Sequence, residues 1–192
     1  MRKIVVTNIV SLDGYIAGPG GDVMALPMDH AFDEHNAERL RAAETVLLGA
    51  TTYRGFVSFW PHALEMPGLT APGREIAERY AAGLEVVTVS DSLTQDDAGP
   101  WAEQTRIVPR ADGADAVRSL RDSEGGDVLV FGSATLWNSL LAVGLVDELH
   151  LMVASVALGD GVPGFTARAA LELTGTRRWE GSSNVLLSYA AS

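Results

Sequence analysis

Asp127-Val128-Leu129-Val130-Phe131-Gly132-Ser133-Ala134-Thr135-Leu136 decides the fold. The first half is short, apolar and β-branched, which reads as a buried strand. Gly132 turns the chain. A helix then starts, with Leu136, Leu140, Leu141 and Val143 as its apolar positions. A strand without polar alternation, leading directly into a helix, belongs to a parallel sheet covered on both faces. Thr45-Val46-Leu47-Leu48-Gly49 repeats the pattern, with Thr51 or Thr52 placed to cap a short helix through Phe56 and Phe59 that ends at Trp60-Pro61.

Working outward, Ile4 to Val10 reads as another buried strand. Ser11-Leu12-Asp13-Gly14 is a bend, Tyr15-Ile16-Ala17 is extended, and Gly18-Pro19-Gly20-Gly21-Asp22 is a loop. Asp29 caps a predicted helix to about Glu44, with Phe32, Ala37, Leu40 and Ala43 on one face. A helix is expected over Arg74–Ala82, strands at Leu84–Ser90 and Arg106–Val108, and a loop over Asp91–Glu103. Asp112 caps a helix that turns Ala116, Val117 and Leu120 inward. Leu149, Leu151 and Val153 alternate with His150 and Met152 as in a strand. Leu171–Trp179 and Asn184–Ala190 read as a hairpin around Gly181. The expected class is therefore α/β: a mostly parallel central sheet, helices on both faces and a C-terminal antiparallel hairpin, as one domain over residues 1–192.

The chain has 192 residues, 47% of them apolar and 20% charged, which is ordinary globular composition. Its net charge of -11 argues against a nucleic-acid partner and against an anionic membrane surface. No apolar run approaches the ~20 residues of a membrane span. No secretory leader is legible at the N-terminus. The absence of cysteine excludes disulfides, thiolate nucleophiles and Cys-ligated zinc, and it suits a cytoplasmic setting. His30 and His35 lack the spacing of a ligand pair, so no metal is expected.

Ligands of parallel sheets sit beyond the carboxyl ends of the strands. Ser11–Asp13, Gly49–Tyr53, Ser90–Ser92 and Gly132–Leu136 lie there. Gly132–Leu136 offers uncapped helix N–H groups to a phosphate, or is a plain connection with Ser133 as N-cap. Gly49 to Thr52 reads the same two ways, as a second phosphate site or as simple capping by Thr51. Two such junctions in one sheet could hold the two phosphates of one dinucleotide. Asp13 to Asp33 combines a glycine loop suited to a lid with Asp29, Asp33 and Glu34 on a helix start. Most of these acids are expected on a solvated face. Phe56 and Trp60 read as core, or as a pocket wall.

Taken in order, Ser11-Leu12-Asp13-Gly14-Tyr15-Ile16-Ala17, Leu47-Leu48-Gly49-x-x-Thr52-Tyr53, Trp60-Pro61, Asp127–Leu136, Leu145–Leu149 and Leu158–Pro163 resemble the dihydrofolate-reductase-like family. The likeness is to stand-alone relatives of the C-terminal reductase domain of the bifunctional riboflavin-biosynthesis deaminase–reductase. It implies a cytoplasmic homodimer and hydride transfer from NADPH to a small heterocyclic or conjugated substrate. It implies cofactor contacts at Ala17, Gly49, Thr51, Thr52, Ser90, Gly132, Ser133, Ala134, Thr135 and Leu136. Substrate would contact Asp13, Tyr15, Asp29, Phe56 and Trp60, with Asp33 and Asp13 as the catalytic acids.

The departures are local. Relatives carry basic residues after the glycine of the second strand, and Ser-Arg after the third. This chain has Ala50 and Thr51, then Ser90-Asp91. A carboxylate repels a 2′-phosphate and suits a free ribose, so NADH is the alternative to NADPH. Arg54 and Arg74 are the basic residues that could substitute. The same losses raise a second reading, a non-redox descendant that binds or isomerises a planar molecule without nicotinamide. The zinc deaminase half has no counterpart in a chain without cysteine.

Overall fold

A computed structural model describes residues 1–191. The elements are β1 (Ile4–Val10), β2 (Tyr15–Ala17), α1 (His30–Ala42), β3 (Ala43–Gly49), α2 (Ala50–Ala63) and α3 (Ala71–Ala81). Next come β4 (Glu85–Val89), β5 (Thr105–Val108), α4 (Gly113–Asp122), β6 (Asp127–Phe131) and α5 (Ala134–Ala142). The chain finishes with β7 (Glu148–Val153), β8 (Val162–Pro163), β9 (Leu171–Arg178) and β10 (Val185–Ala191). The main sheet has eight strands in the order β5-β4-β3-β6-β1-β7-β10-β9. It is parallel from β5 to β7, and β10 and β9 add antiparallel. The α/β architecture read from the sequence is the one observed.

Burial explains the order. Every residue of β1 is buried, as a central strand covered on both faces requires. Its side chains divide with period two. Ile4, Val6 and Val10 enter a core with Val117, Leu120, Trp137 and Leu140 of α4 and α5. Val5 enters the opposite core, with Leu40, Tyr53, Ile76 and Tyr80 of α1, α2 and α3. Ile9 joins a smaller cluster with Ala31, Met152, Trp179 and Leu186 under the start of α1.

Several boundaries differ from the sequence reading. Neither Thr51 nor Thr52 caps α2, which starts at Ala50 with Gly49 in the cap position. The helix also passes through Pro61 to the buried Ala63, so Pro61 costs one hydrogen bond without ending it. Asp112 makes no cap bond, because the chain reaches α4 already turning through Arg110–Asp112. Thr70, not a residue near Arg74, caps α3 by accepting from Gly73 N–H. The Asp91–Glu103 stretch holds a short turn with a Thr94/Asp97 capping box. The Leu149–Val153 segment lies inside the sheet between β1 and β10; the edges are β5 and the more exposed β9.

The small β2–β8 sheet escaped the sequence reading. It lies over the carboxyl end of β1 and depends on Gly161, where any Cβ would collide with the Ala17 carbonyl oxygen. At the opposite end of the sheet, buried Arg2 donates to the Gly126 carbonyl at 2.5 Å and to Thr45 Oγ1 at 2.6 Å. A Cβ on Gly126 would lie 2.5 Å from the Ala42 carbonyl oxygen. That oxygen is main chain at the α1–β3 junction and cannot yield alone. Gly126→Ala is therefore expected to destabilise the protein by about 1–3 kcal/mol, read as a lower urea midpoint with an unchanged slope.

Candidate functional site

The parallel strands β3 and β6 are neighbours in register, with Leu47 opposite Val130. They therefore end side by side, and α2 and α5 start side by side. Ser133 joins the two starts. Its backbone lies in the left-handed region (φ 52°, ψ 53°), alone among the described non-glycine residues. That conformation costs on the order of 1–2 kcal/mol. It turns the side chain away from its own helix, so Ser133 does not cap α5. Instead Ser133 Oγ accepts from Gly49 N–H at 2.8 Å and donates to Thr52 Oγ1 at 2.9 Å.

Both glycines are needed for this approach. A Cβ on Gly49 would meet Ser133 Oγ at 3.1 Å, and one on Gly132 would meet Thr52 Oγ1 at 2.8 Å. Buried Asn8 of β1 fixes the turn from the other side, donating from Nδ2 to the Gly132 carbonyl at 3.1 Å. Neither helix has a side-chain cap. The first-turn N–H groups of α2 and α5 thus share one end of the sheet, with their partial positive charge. Thr51 and Thr135 are exposed on these turns. Ala134 and Leu136 face the core, and Leu136 N–H is spent on the Ser133 carbonyl.

At the end of β4, the buried Ser90 hydroxyl accepts from the N–H groups of Ser92 and Leu93 and so shapes the turn. Asp91 accepts from Arg110 N–H at 2.9 Å and lies 3.8 Å from Arg110 Nε. Arg54 Nη2 stands 3.5 Å from Ser92 O and Oγ. Two exposed guanidiniums therefore stand beside this turn, where the sequence itself carries Asp91 and no basic residue at positions 50 and 51. Arg54 reaches it from α2, one helical turn beyond Ala50, and Arg110 from the end of β5.

The acids separate by their partners. Asp13 accepts from Ser11 Oγ, Leu158 N–H and Gly159 N–H. These bonds, Ser11 first, hold its pKa down to about 2. It is an ionised anchor that ties the β1–β2 bend to the segment after β7, and it has no proton to give near neutral pH. Asp29 caps α1 at Ala31 N–H and accepts from Ser182 Oγ at 2.6 Å. Asp33, one turn into α1, is half-buried. Burial raises its pKa, Asp29 adds to the rise, and a 3.2 Å bond from Thr70 Oγ1 to Oδ2 opposes it.

Tyr15 and Ala17 lie on β2, held against β8. Phe56 and Trp60 are half-buried and pack edge to face, 6.2 Å apart. Trp60 stacks on Tyr80 and Phe56 leans on Phe131, so both serve the core as well as a wall near Gly132. Sequence reasoning missed Asn8, Arg110 and Asn138, whose Nδ2 donates to the Ala134 and Gly164 carbonyls. Asn8 carried a signal, as an amide inside an apolar strand. Arg110 and Asn138 carried none. Among the described residues no group of His, Cys, Asp and Glu is placed to hold a metal ion. No helix is long and apolar enough to cross a membrane.

The RibD C-terminal domain family matches residues 2–187. The uncharacterized protein YyaP of Bacillus subtilis is 27% identical over 179 residues, 92% of this chain and 88% of its own. Acinetobacter baumannii RibD has the same fold, with a TM-score of 0.68 at 15% identity, covering 100% of this chain and 58% of its own. A pyrimidine reductase-like protein from Corynebacterium diphtheriae gives a TM-score of 0.61 at 15% identity, over 100% of this chain and 92% of its own.

Asp13 yields a test of the site's frame. Its folded pKa is depressed, so its contribution is present above about pH 4 and is lost as pH falls toward 2. Amide exchange at Leu158 and Gly159, corrected for intrinsic rate, should be flat between about pH 5 and 8. It should rise below that range. Asp13→Asn should raise it at every pH.

Proposed function

The chain belongs to the RibD C-terminal domain family, and on that premise we propose that it is an NAD(P)H-dependent reductase of a small heterocyclic or conjugated substrate. The observation that carries this reading is the Ser133 latch, which holds two uncapped helix starts together at adjacent strand ends. Such a pair suits a pyrophosphate. The donor set fits the group: N–H groups of Ala50, Thr51, Thr52, Ala134 and Thr135, with the Thr51 and Thr135 hydroxyls. Ala17 and the Gly18–Asp22 loop would border the nicotinamide. When bound, the cofactor supplies the hydride, and the protein supplies orientation and charge.

NADPH is preferred over NADH in this reading, because Arg54 and Arg110 flank the Ser90–Ser92 turn. Arg110 already neutralises Asp91, which would otherwise repel a 2′-phosphate. On the substrate side, Asp33 is the acid with a free oxygen, acting as the ionised carboxylate. Thr70 occupies Oδ2, and no donor among the described residues reaches Oδ1, which is left to accept from a substrate amide or amidine N–H. Asp13, Tyr15, Asp29, Asp33, Phe56 and Trp60 bring no cation, which favours a substrate without phosphate. A cytoplasmic setting and a homodimer complete the proposal. The exposed edge strand β9, with Leu173 outward, offers a pairing edge for a second copy.

Parallel titrations with NADPH and NADH, read by nicotinamide and tryptophan fluorescence, test the reading. NADPH should bind at least about tenfold tighter, and Arg54→Ala with Arg110→Ala should erase that preference by about 1.5–3 kcal/mol. Failure of both cofactors to bind below about 1 mM overturns the proposal in favour of the planar-ligand alternative. Once a substrate is in hand, Asp33→Asn should lower kcat/KM about 100-fold or more. In the unmodified enzyme kcat/KM should fall as pH drops through the raised pKa of Asp33, and the variant should lose that limb.

A further inference from the structure

A row of buried polar groups lies under α1, away from the cleft. His35 of α1 and His150 of β7 are buried, with His35 Nε2 3.2 Å from His150 Nδ1. His150 Nε2 lies 3.2 Å from Glu148 Oε2, and Glu148 Oε1 receives Lys3 Nζ at 2.6 Å. The inward face of α1 is otherwise poor in large apolar groups: Ala31, Asn36, Ala37 and Leu40. Its side-chain hydrogen bonds to the parallel strands beneath it are the His35–His150 pair and Thr7 Oγ1 to Asn36 Oδ1, at 3.2 Å.

The row has a direction. Burial pushes the Glu148 carboxyl up, but Lys3 and His150 outweigh it and leave it below its ordinary value. Glu148 is therefore an acceptor, so His150 Nε2 carries a proton. Neutral His150 then has a bare Nδ1, and His35 must donate from Nε2. We propose that this pair is a proton-sensitive clasp: it holds α1 on the sheet while at least one imidazole is neutral and lets go when both are charged.

One proton is tolerated. At His35 Nδ1 it leaves the Nε2–H donor in place; at His150 Nδ1 it reverses the bond, with His35 moving its own proton to Nδ1 and accepting at Nε2. A second proton leaves no acceptor and sets two N–H groups 3.2 Å apart between adjacent cations. The surroundings resist both protons. Arg39 of α1 and Arg177 of β9 face His35, and Arg39 faces His150; Arg177 is itself bonded to Glu38. Glu148 favours charging of His150, with Asp127 near Glu148 and Lys3. Burial, with these charges, pulls His35 down to about 3 and lowers His150. With α1 released, His35 on the helix and His150 on β7 would each take up a proton near the ordinary histidine pKa. Opening therefore becomes easier as pH falls below about 6.5. Since Asp29 caps α1 and Asp33 lies on it, the clasp governs where both acids sit, whatever reaction they serve.

Native-state hydrogen exchange tests this on the full chain. Between about pH 6 and 5 the opening constant of the α1 amides, Ala31 to Leu40, should rise by more than about tenfold per pH unit, a slope steeper than one proton. The amides of β6 should open at higher free energy throughout. In His35→Gln one titrating site remains, and its amide can turn to donate or accept, so the slope should fall to about tenfold per unit. Long-range proton–nitrogen NMR of the unmodified protein should show both imidazoles protonated at Nε2 at neutral pH. Equal opening free energies for α1 and β6 at every pH would overturn the clasp. So would an unchanged slope in His35→Gln, or Nδ1–H tautomers. If the variant does not fold, the tautomers and the slope of the unmodified protein decide.

Discussion

The hydrogen bond from Gly49 N–H to Ser133 Oγ joins residues far apart in sequence, and the candidate site depends on it. It forms only if β3 and β6 are neighbours, end at the same height and are each followed at once by a helix. It also needs glycine at both turns, where a side chain would keep the strand ends apart. The left-handed backbone of Ser133 is the local cost of aiming the hydroxyl across the junction and not along its own helix. Asn8 supports the same turn from β1, so three adjacent strands contribute to one fixed point.

The acids around the cleft show how partners, not residue type, set chemistry. Asp13 accepts from three donors and is ionised near neutral pH, Asp29 is spent on capping α1 and on Ser182, and Asp33 is held by one hydroxyl at the edge of the core. At the end of β4, Arg54 and Arg110 reach the same turn from different elements. A charge removed from one strand end can be restored by any side chain that reaches the same few ångströms.

Most of the sheet was legible because its strands are continuous apolar runs and its turns are glycines. Asp29 was legible as a cap because its side chain acts on its own helix. What escaped shares one physical character: the deciding partner lies far along the chain. Ser133 looked like a cap and instead bonds Gly49 and Thr52. Asp91 looked like a bare charge until Arg110 was found beside it. The two-residue strand β8 carries no periodicity, and its pairing rests on Gly161 approaching Ala17. Leu149–Val153 alternates as an edge strand would, yet β10 covers it.

The strand order also bears on how the protein is made. β1 is made well before its partners β6 and β7, with Ile4 paired to Val128 and Val5 to Glu148. Until then a mostly apolar strand has neither ladder nor cover. Such a topology folds slowly, since long loops must close before their contacts repay them. It leaves β1 exposed while the chain between it and β6 is made, the stage at which aggregation competes with folding.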